Sequence, residues 1–305
     1  MKYAIVVAVL VSFCCLSGRA QSGLDGWMRI ESDDGQFSVE VPKEYKFVAY
    51  KNGFSLSHFG TGGGSFDLGE AKYLTSYVNG TLLAVESYKG SKGAAGEMQE
   101  QDALHKTKPE KTTIKDHGVP IRQLSWRVGN TVVFRQYFGL KDRIYILTAA
   151  SRRGTTPDMT RYLDSVQFAD KPAGVVASSN IKFSQLKISY VKLDVNPAAS
   201  LPVPAKGGPP AVKSPNDGEN LEILLKPAPG FTEKARSSGA AGTIAVRVTF
   251  SEDGWVPQIV VLRALPDGLL NQALFSVMRM KFLPREKDNK PQTVVRVVEY
   301  SFSIY

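Results

Sequence analysis

The sequence predicts an α+β protein in two parts, an N-terminal antiparallel sheet with helices and a small C-terminal α/β domain ordered helix, strand, strand, helix, strand. Three observations carry this expectation. Short runs of alternating apolar and polar residues, separated by turn residues, recur in both halves. Between them, from Pro197 to Pro215, Pro, Ala, Gly, Lys and Ser dominate a stretch too poor in large apolar residues to form a core. Near the end of the chain the apolar period changes from two to about 3.6 and back, as a strand, helix, strand succession requires.

The first element is a leader. Met1 to Ala20 has a basic start at Lys2, an apolar run from Ala4 to Leu16, and Gly18-Arg19-Ala20 with small residues where a signal peptidase reads. A membrane-spanning helix needs about 20 apolar residues, and this run is shorter. A cleaved signal peptide and a periplasmic mature chain beginning at Gln21 are therefore expected, with a retained inner-membrane anchor as the alternative. Phe13 before Cys14 argues against lipidation, which wants a small residue there. Both cysteines, Cys14 and Cys15, lie inside the leader, so the mature chain is expected to have neither disulfides nor thiolate chemistry.

The chain beyond the leader is too long for one small domain, and the composition suggests residues 21–170, a segment 171–219 holding strands and the Pro/Gly-rich linker, and residues 220–305. The formal net charge of +9 falls by two when Lys2 and Arg19 leave with the leader. Acidic residues are scattered among the basic ones, a distribution that serves solubility. Nucleic-acid binding would need a basic stripe or a recognition motif, and neither is present. Lys106, Lys108, Lys111 and Lys115, interrupted by Pro109 and Glu110, read as a solvated loop.

In the first part, Trp27 to Ile30 reads as a strand, Asp33-Asp34-Gly35 as a turn, and Phe37, Val39 and Val41 as a second strand ending at Pro42. Leu124 to Val128, Thr131 to Leu140 and Arg143 to Ala149 form a meander through turns at Gly129-Asn130 and Lys141-Asp142. Thr156-Pro157 then opens a short helix with Met159, Tyr162 and Leu163 on one side, and Val166 to Phe168 adds a strand. The opening Trp, the Pro-terminated strand and the closing Leu163-Asp164-Ser165-Val166-Gln167-Phe168 resemble the PsbP-like fold over about residues 26–170. Ile181 to Val195 alternates as one or two strands that the pattern assigns to neither part.

No catalytic motif is complete. Gly60 to Ser65 is rich in glycine but lacks the Lys-Ser/Thr pair of a phosphate loop and opens no helix. His58, His105 and His117 lie far apart and fit no metal-ligand spacing. No Gly-x-Ser-x-Gly elbow occurs. The sequon Asn79-Gly80-Thr81 matters only in a eukaryotic secretory pathway, and only folding could pair scattered acids such as Asp67, Glu70 and Glu86. The chain is expected to be no enzyme and to use neither cofactor nor metal.

The C-terminal part is regular. Pro227 and Pro229 hold the chain extended, Thr232 caps a helix over Glu233 to Ser237, and Gly239 stops it. Thr243 to Phe250 alternates as a half-buried strand, Glu252-Asp253-Gly254 turns, and Gln258 to Arg263 returns. Pro266-Asp267 opens a helix whose Leu269, Leu270, Ala273, Leu274 and Val277 share a face, expected to lie across the sheet. Phe282-Leu283-Pro284 ends that element, Asp288-Asn289-Lys290-Pro291 turns the chain, and Thr293 to Ile304 forms the last strand.

Taken together, Pro229-x-Phe231-Thr232-x-x-Ala235, Gly242-Thr243, Asp253-Gly254, Leu270-x-x-Ala273, Lys281-Phe282-x-Pro284 and Asp288-Asn289-x-Pro291, with a terminal strand after them, resemble the TonB C-terminal domain family over residues 220–305. Asn289 stands where the family favours Gly, a left-handed position that Asn tolerates. The resemblance implies a bacterial cell-envelope protein, active in transmembrane or protein transport, whose sheet edge binds an extended peptide like the TonB box of an outer-membrane transporter. It places the partner-binding edge at Arg296, Val297, Val298, Glu299, Tyr300, Ser301 and Phe302, with Arg296 and Glu299 guarding the edge against aggregation. The shared face of Val298, Tyr300 and Phe302 marks them as core as well. A complete transducer of that family keeps an N-terminal membrane helix and a long Pro-rich span, which this sequence lacks in that form. Two other expectations stand beside strand addition. One is a periplasmic module binding a small ligand or lipid in the first part, with the C-terminal part as adaptor. The other, an enzyme built on the first part, ranks last. No nucleic-acid partner is implied, and membranes are reached only through partners.

Overall fold

The computed structural model describes residues 26–49, 54–55, 65–66, 72–89, 110–116, 119–169, 181–189, 191–200 and 221–303. The N-terminal part runs β1 (Trp27–Glu31), β2 (Phe37–Pro42), β3 (Lys46–Ala49), β4 (Phe54–Ser55), β5 (Ser65–Phe66), β6 (Lys72–Val78) and β7 (Thr81–Lys89). It continues through β8 (Glu110–Asp116), β9 (Val119–Val128), β10 (Thr131–Leu140), β11 (Arg143–Ser151), α1 (Pro157–Asp164) and β12 (Gln167–Phe168). Three strands connect the parts: β13 (Ile181–Lys182), β14 (Ile188–Ser189) and β15 (Lys192–Ser200). The C-terminal part holds β16 (Glu222–Leu225), α2 (Glu233–Ser238), β17 (Gly242–Phe250), β18 (Gln258–Arg263) and α3 (Leu269–Met278). Four more strands close it, β19 (Lys281–Leu283), β20 (Arg285–Lys287), β21 (Lys290–Gln292) and β22 (Val294–Phe302). The chain is α+β and rich in sheet, as the patterning predicts.

The largest sheet has the order β14-β3-β6-β7-β11-β10-β9-β8, antiparallel except where β14 joins β3. Strand alternation divides its side chains between two buried faces. Leu83 and Val85 of β7, with Tyr145, Leu147 and Ala149 of β11, pack against Ile30, Phe37 and Val39 of the small sheet β12-β2-β1-β13 and against Met159 and Tyr162 of α1. Thr156 caps α1 by accepting from the Met159 N–H at 3.3 Å, and the Tyr162 hydroxyl donates to the Ala84 carbonyl at 2.7 Å.

The opposite face meets the C-terminal part. Leu124, Tyr137, Ile144 and Ile146 share one apolar cluster with Ile244, Val246, Leu274, Val277 and Phe282. Leu82, Val133 and Ala150 form a second cluster with Leu224 of β16 and Leu283 of β19. Polar links reinforce the contact: Arg152 pairs with Glu222 at 2.9 Å and donates to the Pro284 carbonyl, and the Tyr77 hydroxyl donates to Glu286 at 2.5 Å. Gly254, in the β17–β18 turn, has φ of +82°, and a Cβ there would stand 2.7 Å from Leu82 Cδ1. This turn needs glycine both for its backbone conformation and for its approach to the large sheet.

A buried charge cluster also links the two parts. The Glu86 carboxylate, fully buried on β7, pairs with the Lys281 ammonium of β19 and lies 3.7 Å from the Arg135 guanidinium of β10. Burial pushes the Glu86 carboxyl up, but Lys281, Arg135 and Arg279 together outweigh it and hold the group below the usual carboxylate value of 4.5. Loss of water lowers the Lys281 ammonium, against the pull of Glu86. Glu86, a candidate for half of a carboxylate pair by sequence, is thus surrounded by cations; Asp67, Glu70 and the three histidines lie outside the described residues.

Four expectations need correction. Lys111 and Lys115 lie in β8, not in a loop, because Thr112, Thr113 and Ile114 between them favour a strand that pairs with β9. The alternating segment after Ile181 divides its allegiance: β13 joins β1, β14 joins β3, and β15 joins β18. β15 also runs to Ser200, inside the expected linker, and Pro197 falls where its register with β18 shifts, on an edge strand that tolerates the missing N–H. The five-element C-terminal order gains β16, β19, β20 and β21, each no longer than four residues and too short to show a period.

Candidate partner-binding edge

The C-terminal sheet has the order β15-β18-β17-β22. β22 therefore ends it, and among the described residues no strand pairs with its outer side. Several local devices position this strand. Thr232 caps α2 by accepting from the Ala235 N–H at 3.1 Å, and Gly239 ends it at φ of +72°. Gly268, at φ of +84°, starts α3 one residue after Asp267, whose own φ is +58°, so the helix begins later than Pro266-Asp267 suggested. Asp288 and Asn289, both left-handed at φ of +53° and +58°, turn β20 into β21. That hairpin delivers the chain into β22.

Side chains of β22 alternate. Val294, Val298 and Tyr300 are buried on one face, opposite Phe250, Val246 and Ile244 of β17 in antiparallel register, and Phe302 on the same face lies opposite Gly242. Of the seven residues singled out from the sequence, Val298, Tyr300 and Phe302 thus offer an incoming chain neither their side chains, which are buried, nor their N–H and C=O groups, which alternate toward β17. Burial pushes the Tyr300 hydroxyl up, and it has no hydrogen-bond partner among the described residues. Arg296 belongs to the same face, opposite Val248, with its Nε buried and unpartnered among the described residues.

Val297, Glu299 and Ser301 behave differently. The Glu299 carbonyl accepts from Lys226 Nζ at 3.0 Å, a donor outside the sheet. In an antiparallel strand the N–H and C=O of one residue point to the same side, so the Glu299 backbone faces away from β17. The Thr243 and Ser301 hydroxyls, directly opposite each other, approach to 3.3 Å, the close side-chain contact of a pair that exchanges no ladder bonds. Val297, Glu299 and Ser301 therefore present their N–H and C=O groups outward, as a strand template does.

Lys226 was not anticipated. It immediately follows β16, and its ammonium lies 4.8 Å from the centre of the Tyr300 ring while donating to Glu299. Loss of water around the ammonium lowers it below the ordinary lysine value, against the pull of Glu299. The Phe231 ring, farther along the same segment, meets Phe302 edge-on at 5.8 Å. A single lysine before two prolines carries no periodic signal, and only the pairing of β16 with β19 brings it to the edge. No group of three His, Cys, Asp or Glu able to hold a metal occurs among the described residues, and no described helix is long and apolar enough to cross a membrane.

No curated protein matches the chain. A crystal structure from Bacteroides thetaiotaomicron VPI-5482, solved at 1.50 Å, aligns with 47% of this chain and 48% of that one at 10% identity. The alignment thus spans about half of that protein, and its TM-score of 0.26 gives it no weight. The C-terminal part is different: residues 227–304 match the family model described as Gram-negative bacterial TonB protein C-terminal, and this part of the chain carries that domain.

Proposed function

We propose that the protein works in the Gram-negative envelope by strand addition, taking an extended segment of a partner protein along the outer side of β22. The observation that carries this reading is the position of β22, nine residues long and last in its sheet, with the backbone of Val297, Glu299 and Ser301 facing outward. Main-chain hydrogen bonds supply the affinity in such complexes, and alternate side chains supply the selectivity. The matched family supports a partner of the outer-membrane transporter type, bearing a TonB-box-like peptide in an exposed terminus. Binding calls for no cofactor, and the protein meets membranes through its partners.

The test is a photoreactive residue at Ser301, used in cells to capture envelope proteins. The expected product is a crosslink to an extended segment of one partner that disappears when the same chain also carries Glu299→Pro. Crosslinks that persist in the folded proline variant would contradict pairing at this edge.

A further inference from the structure

Lys226 lies where an incoming strand must bind. The Glu299 carbonyl is one of the outward acceptors on β22, and the lysine ammonium already donates to it while resting against the Tyr300 ring. The position of that ammonium is set from the N-terminal part. Lys226 directly follows β16, whose Leu224 is packed among Leu82, Val133 and Ala150 of the large sheet. Glu222, at the start of β16, is held by Arg152 of that sheet's β11–α1 connection at 2.9 Å. β16 also pairs with β19, and Arg152 binds the carbonyl of Pro284 just beyond it. An element anchored on one half of the chain thus carries a donor to the working edge of the other.

We infer that Lys226 is an autoinhibitory latch on the β22 edge, held in place by the N-terminal part through β16. The inference rests on the strand-addition reading and adds its regulation. An arriving strand needs its own N–H on the Glu299 carbonyl, so it must first displace the ammonium. Anything that shifts β16 on the large sheet changes how readily this happens. The N-terminal part thereby gains a role in partner binding without touching the partner. The latch also protects the edge: a cation across exposed backbone groups opposes pairing with stray strands.

The experiment uses the full mature chain and a fluorescent, capped nine-residue peptide alternating Thr and Val, which is extended and uncharged and so offers nothing to attract a lysine. Fluorescence anisotropy gives the affinity of the wild type and of Lys226→Met, with Lys226→Gln as a second variant and circular dichroism as the check on folding. An incoming strand must break the Lys226 hydrogen bond before it pairs, so binding should tighten about three- to tenfold in both variants, equivalent to about 0.6–1.4 kcal/mol. Arg152→Gln, remote from the edge, should shift affinity in the same direction, and combining it with Lys226→Met should add little. Such non-additivity distinguishes a latch from a general loosening of the fold. Unchanged or weaker binding by the Lys226 variants, alongside wild-type binding that Glu299→Pro removes, overturns the latch and leaves the edge reading standing. Binding by neither wild type nor Lys226 variants contradicts the edge reading itself, and the latch with it. Full additivity of Arg152→Gln and Lys226→Met overturns control through β16.

Discussion

Glu86 and Lys281, from opposite parts of the chain, form an ion pair sealed from solvent, with the carboxylate fully buried and the lysine side chain 8% exposed. Arg135 and Arg279 add their field to the same carboxylate, so three cations act on one anion. The two members of the pair are therefore unequal. Glu86→Gln takes from all three cations the carboxylate whose field they share and should cost about 3–5 kcal/mol, the range for breaking a buried pair. Lys281→Met leaves the carboxylate between two arginines and should cost clearly less. Urea unfolding of the two variants checks the order, and equal or reversed losses would contradict it.

The same cluster sets an acid limit. Because the folded state holds the Glu86 carboxyl below its usual 4.5, its contribution to stability is complete above that value and is lost as the pH falls through the lowered folded value. Acid should therefore loosen the interface in that window. Trp126 and Trp255, partly buried against the shared apolar cluster, should report it through their fluorescence. In Glu86→Gln this step should vanish from the acid limb. An identical limb in variant and wild type would assign the transition to other groups.

Although composition marks Ala205 to Ser214 as a linker open to protease, the two parts share apolar clusters and several polar links. Limited proteolysis should cut first in this stretch and leave both fragments eluting together by size exclusion. The N-terminal fragment made alone should aggregate, because Leu82, Val133, Tyr137 and Ile146 would lose their cover. Nicked fragments that separate and remain soluble would contradict the shared core.

The leader carries its own prediction. Mass spectrometry of the natively expressed protein should find Gln21 at the N-terminus, as the Gly18-Arg19-Ala20 site implies. Intact Met1 in the membrane fraction would instead indicate a retained anchor and strengthen the comparison with a complete TonB transducer.

Where one face of an element is wet, its period is legible in the sequence. β17 shows it, as do α1 and the cap and stop of α2, whereas β10 and β11, buried on both faces, are legible through their turns at Gly129-Asn130 and Lys141-Asp142. The β6–β7 hairpin is not legible in that way, because β7 is buried on both faces and Leu82 to Val85 is a continuous apolar run without alternation. Its Asn79-Gly80 turn, with φ of +50° and +72°, is a strong hairpin signal that the overlapping sequon obscures. At the candidate site, the strand and its buried face are readable from Val298, Tyr300 and Phe302. Which residues turn their backbone outward is not, because that depends on register with β17. Lys226 and the charges around Glu86 depend on chain pairings between distant segments, which a single sequence does not display.

The central claim is that β22 is recognised through its backbone, and position 299 tests it most directly. The Glu299 N–H points away from β17, so Glu299→Pro removes one outward donor and sets a ring in the path of an added strand while sparing the ladder to β17. Glu299→Gln removes only the charge. With the captured partner segment as a synthetic peptide and circular dichroism showing both variants folded, the proline variant should lose affinity by about tenfold or more, and the glutamine variant should bind within about twofold of wild type. Wild-type affinity in the folded proline variant, or loss in the glutamine variant alone, would contradict strand addition at this edge.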